Sequence, residues 1–225
     1  MKQKSFIVFL LSVLIFSNLG VSNNSVSAST SSIGKNELSE ETISLVDDFV
    51  SFEDNKFVIK DVRSVVSEIG GKEFAKVRQL INDRNKILRD MTAEELGNMY
   101  VVDNYVVFSE EDISDQPISL FSSRGKTTLE MPWWGFKLYL SDHVTNTVAQ
   151  ALAAGSGSSA MVAALSPILS APTAVIKGLA TATTIALGGS AAMFWRTNKG
   201  RGVYLRFTRM PFSPVVGVYT GMFAQ

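Results

Sequence analysis

The sequence predicts an α+β fold: a small acidic α+β module followed by a β-αα-ββ unit with an apolar helical hairpin. Three observations predict it. Short runs of alternating apolar residues mark strands in both halves. Three- and four-residue spacing marks helices in the first half. A long stretch from 142 to 195 carries Lys177 as its one charge after Asp142. The chain has 225 residues, 46% hydrophobic and 19% charged, which suits a packed core and not a disordered chain.

Residues 1–28 read as a signal peptide. Lys2 and Lys4 open it, Phe6 to Phe16 is apolar apart from Ser12, and Val26-Ser27-Ala28 fits the small-x-small cleavage rule. Cleavage after Ala28 and secretion are therefore expected, with wall or membrane association left open.

Residues 29–108 form the acidic module. Glu37 to Val50 reads as an amphipathic helix, and Phe49–Phe52 with Lys56–Lys60 as a hairpin around Glu53-Asp54-Asn55. A helical pattern from Ser64 is interrupted at Gly70-Gly71 and resumes from Lys72 to Met91 through Phe74, Val77, Leu80, Ile81, Ile87 and Leu88. Thr92-Ala-Glu-Glu95 has the form of a capping box. Tyr100–Val102 and Tyr105–Phe108 around Asp103-Asn104 give a second hairpin. Residues 109–128 are polar and serine-rich, the pattern of a linker, with Arg124 as a candidate processing point.

Residues 129–225 form the basic domain. Trp134–Leu140 and Val203–Arg209 alternate as strands, Asn198–Gly202 is a turn, and Val215–Thr220 is a last short strand. Ser141-Asp142 caps a first helix running to Met161 or Leu165; the prolines at 167 and 172 end it. A second helix spans Thr173 to Trp195, about 34 Å at helical rise. Ala149, Ala153 and Gly157 on the first helix recur every four residues, as do Ala174, Gly178, Ala182, Ala186 and Ser190 on the second. Such stripes of small residues let helices approach closely and suit membrane packing or self-association. Trp133, Trp134, Lys177, Trp195, Arg196, Lys199 and Arg201 are the candidate interface anchors, aromatic or basic groups near the hairpin ends.

The formal net charge of zero hides an asymmetry. Residues 29–116 carry 10 basic and 19 acidic side chains, and residues 117–225 carry 9 basic and 2 acidic. Such a split points to a membrane surface or to the halves pairing. Neutral net charge gives no reason to expect nucleic acid. With no cysteine, disulfides, thiolate metal sites and cysteine nucleophiles are excluded. The one histidine, His143, has no nucleophile–base partner in the sequence, and Gly200-x-Gly202 lies between a helix and a strand, the wrong order for a dinucleotide loop. No catalytic, cofactor-binding or metal-binding residue stands out, so a non-enzyme is expected.

Trp134-Gly-x-Lys-x-Tyr-Leu, the Ala/Gly-rich hairpin and Lys199-Gly-x-Gly-Val-Tyr together resemble a family of secreted Gram-positive proteins, over about residues 132–204. The hairpin is similar to the glycine-zipper regions of bacteriocins. The resemblance implies antimicrobial or membrane activity and transfers no binding residue. Two readings stand. The hairpin interacts with bacterial membrane lipid and is held soluble by the acidic half; alternatively it is ordinary core of a soluble extracellular or wall-associated binding protein.

Overall fold

The computed structural model describes residues 38–109, 125–208 and 219–225. The leader with Ala28, Arg124, most of the expected linker and residues 209–218 lie outside them. Among the described residues there are seven helices and eight strands in two sheets, an α+β fold.

The acidic half begins with α1 (Glu40–Asp47), capped by the Ser39 hydroxyl, which accepts from the Thr42 amide at 3.0 Å. Strands β1 (Val50–Glu53) and β2 (Lys56–Ile59) form a two-stranded hairpin. Asp54 and Asn55 both adopt positive φ at its turn, as a two-residue hairpin requires. Helix α2 (Val62–Asp90) is kinked where Gly70 leaves helical geometry at φ 77°. Its second part turns Val77, Ile81, Arg84 and Leu88 inward, one stripe at four-, three- and four-residue steps. Helix α3 (Ala93–Gly97) carries the expected capping box between Thr92 and Glu95.

Strands β3 (Met99–Val102), β4 (Tyr105–Ser109), β5 (Thr128–Met131), β6 (Phe136–Leu140), β7 (Val203–Phe207) and β8 (Tyr219–Ala224) form one antiparallel sheet in chain order. The sheet runs across the expected domain boundary. Strand β4 pairs with β5 in the register Val106↔Met131 and Phe108↔Leu129, and one hydrophobic core includes residues of both halves. A linker was expected where β5 begins; the paired strand is short and its start polar, which hid it. The last described strand is Tyr219–Ala224, and residues 215–218 of the strand expected at 215–220 lie outside the described residues.

Between β6 and β7 the chain forms four helices where two were expected: α4 (Asp142–Ala153), α5 (Gly157–Leu165), α6 (Thr173–Ala186) and α7 (Ala191–Thr197). The physical reason is the same at both extra breaks. Gly155 at φ 79° and Gly188 at φ 57° take the left-handed conformation. The amides of Gly155 and Ser156 then reach back to the Leu152 and Ala151 carbonyls, and those of Gly188 and Gly189 to Ile185 and Thr184. Both are Schellman closures, which end a helix wherever glycine permits them.

Candidate functional site

Strand alternation divides the large sheet into two faces. The inner face carries Leu129, Met131, Phe136, Leu138, Leu140, Val203, Leu205 and Phe207, all buried. Buried residues of α4 to α7, among them Val148, Leu165, Leu179 and Phe194, join them in the core. The outer face carries Glu130, Lys137 and Arg206 in register across β5, β6 and β7, beside Tyr139, Tyr204 and Phe223 across β6, β7 and β8.

That outer face is a ladder of rings and cations. Tyr139 stacks on Tyr204 at 5.3 Å between centroids, and Tyr204 on Phe223 at 4.8 Å. Lys126 lies over Tyr139 at 4.3 Å and bonds Glu130 at 2.9 Å. Arg206 lies over Trp134 at 4.5 Å and reaches Glu40 of α1 at 2.7 Å. Burial pushes the Tyr139 phenol well above its ordinary value, and Glu130 adds to that shift. Tyr105 is raised as well, by burial first and then by Asp47.

The two tryptophans expected at headgroup level are inside the molecule. Trp133 is 2% exposed and its indole N–H donates to Asp47 Oδ1 at 2.8 Å, fixing α1 on the β5–β6 turn. Trp134 is 3% exposed beneath Arg206. Adjacent aromatics looked like an interfacial belt in sequence; their positions in the tight Pro132–Gly135 turn make them core.

The small-residue stripes are divided in the same way. Ala149, Gly178 and Ala182 are buried, whereas Ala153, Ala174 and Ala186 are exposed and Gly157 and Ser190 are half-buried. A four-residue step overshoots the 3.6-residue turn by about 40°, so the stripe winds round its helix instead of holding one face. Of the second stripe only the middle, Gly178 and Ala182, meets the core, and of the first only its leading residue, Ala149.

The remaining anchors, Lys177, Trp195, Arg196, Lys199 and Arg201, are all exposed. Helices α6 and α7 meet at an elbow bent by 93°. Among the described residues no single helix is long and apolar enough to cross a membrane, and this bent pair meets that test only when taken together. At the elbow Ile185 is 57%, Met193 41% and Trp195 49% exposed, three of the seven large apolar side chains exposed among the described residues. Arg196, Lys199 and Arg201 follow directly and are exposed. Lys177 lies on the same exposed line of α6 as Thr181 and Ile185. The Asn198–Gly202 turn that carries the basic residues is itself held firmly. Asn198 Oδ1 accepts from the Gly200 and Gly202 amides at 3.0 Å each, and its Nδ2 donates to Asp142 at 2.7 Å.

Sequence reasoning missed a further buried charge, Arg84. Its side chain is fully buried, with the guanidinium carbon 4.2 Å from the Phe136 ring centroid. None of Nε, Nη1 and Nη2 has a hydrogen-bond acceptor among the described residues. Desolvation pulls its pKa down to about 9, with Asp83 opposing, so it stays charged at neutral pH. The signal was available in the 77–81–84–88 spacing, which puts position 84 in the apolar stripe. His143 is exposed, and no group of three or more potential metal ligands occurs among the described residues. No family model, curated protein or solved structure matches the chain.

Proposed function

We propose that this is an exported protein that acts at an anionic bacterial membrane surface, docking through the α6–α7 elbow while the hairpin helices remain core. The observation that carries this reading is the coincidence of exposed Ile185, Met193 and Trp195 with Arg196, Lys199 and Arg201. No acidic residue occurs between 143 and 225, so nothing in that stretch offsets the attraction to anionic lipid. Each basic side chain near such a surface contributes about 1 kcal/mol, and the exposed apolar groups add burial in the interface. The resemblance to glycine-zipper regions supports the same class of partner. In this reading the acidic half completes the sheet through β4 instead of acting as a removable cover. Co-sedimentation of the full chain with anionic and with neutral phospholipid vesicles tests it. Binding to the anionic vesicles alone, lost at high salt, is expected; no binding to either ends the proposal.

A second reading has an observation of its own. The Tyr139–Tyr204–Phe223 ladder, with Lys126 beside it, suits an extracellular or wall-associated binding module whose hairpin is core. Binding to isolated cell walls that Tyr204→Ala removes, without vesicle binding, would favour it.

A further inference from the structure

Arg84 occupies a position that the apolar stripe of α2 would give to leucine or methionine, yet it is a cation with no exposed surface. A charge so placed is disfavoured unless an opposite charge or hydrogen-bond acceptors meet it. Phe136 attracts the cation through the negative face of its ring and accepts none of the N–H bonds. Asp83 is the neighbouring position, rotated by about 100° round the helix, and makes no bond to it among the described residues. The nearby amide side chain is engaged elsewhere, because Asn85 accepts from the Phe57 amide at 2.7 Å and donates to its carbonyl at 2.9 Å. The edge of the planar fork, a shape that matches two oxygens of one group, therefore has no acceptor among the described residues.

We infer that Arg84 holds a small oxyanion, a carboxylate or phosphate group, between α2 and the Phe136 end of β6. The guanidinium carries the charge recognition, Phe136 fixes its plane, and enclosure restricts the ligand to a small ion or the terminal group of a slender molecule. The site is separate from the α6–α7 elbow and does not depend on lipid binding.

The test uses the full chain, titrated with inorganic phosphate and with formate at ionic strength matched by sodium chloride. The readouts are the Arg84 Nε–Hε resonance, assigned through Arg84→Lys, and the thermal unfolding midpoint. A saturable shift of that resonance with a rise in midpoint is expected for phosphate, formate or both, and the responding arm names the chemistry. Arg84→Lys keeps a charge without the planar fork and is expected to weaken binding at least 10-fold. Arg84→Met is expected to abolish the midpoint response. An unmoved Arg84 resonance in both titrations overturns the inference, as does a response that sodium chloride reproduces or that Arg84→Met retains. If Arg84→Met fails to fold, the wild-type resonance decides alone.

Discussion

Helix α2 lies in the half of the chain richest in charge and encloses Arg84 completely, whereas the α6–α7 elbow lies in the half poorest in charge and leaves Ile185, Met193 and Trp195 in water. Local composition would place these groups the other way round. What decides is helical phase: position 84 falls on the line Val77–Ile81–Leu88, and position 185 on the exposed line Lys177–Thr181. An apolar stretch can thus present a surface, and a charged stretch can contain core.

The largest test of that contrast separates the halves. The isolated 125–225 fragment lacks β3 and β4, so β5 loses one of its two paired neighbours and the core loses Val106 and Phe108. It is expected to show no cooperative unfolding by circular dichroism; a cooperative, monomeric fragment would break the claim of one shared core. Next, Ile81→Ala should cost about 3 kcal/mol in urea unfolding, as buried truncations do. Ile185→Ala should stay within about 0.5 kcal/mol, because its side chain is already wetted. Equal costs would erase the comparison. Replacing Arg196, Lys199 and Arg201 together by glutamine should weaken binding to anionic vesicles by about 100-fold at low salt, at about 1 kcal/mol each, with the unfolding midpoint unchanged.

The smallest effect concerns pH. Tyr139 has a folded-state pKa raised by burial and Glu130, so the folded protein keeps a proton that the unfolded chain loses near pH 10. Its contribution is complete below about pH 10 and declines as pH rises further. Tyr139→Phe should therefore flatten the loss of stability above that pH, read as urea midpoints at increasing pH.

Much of the local structure was legible. Asp54-Asn55 and Asp103-Asn104 announced their hairpins, Thr92 and Glu95 their box, and Ser141 its cap. These signals lie within a few residues of one another. The pairing of β4 with β5 was not legible, because it joins residues on opposite sides of a polar segment. The buried places of Trp133 and Trp134 were hidden too, since they depend on Asp47 of α1 and Arg206 of β7. The two extra helix breaks sat in plain view as Gly155 and Gly188-Gly189, outweighed by the apolar run around them. Of the candidate site, Trp195, Arg196, Lys199 and Arg201, named from the sequence as interface anchors, are exposed, whereas the small-residue stripe, drifting with helical phase, was not one face.

Trp133 and Trp134 are buried and Trp195 is half-exposed, so the last should be the tryptophan that reports contact with lipid. The most direct measurement is tryptophan quenching of the full chain by vesicles of brominated anionic phospholipid, with Trp195→Phe as control. Docking through the elbow predicts quenching and a blue shift that vanish in Trp195→Phe while that variant still binds. Vesicle binding without quenching, or quenching that persists in Trp195→Phe, would contradict it.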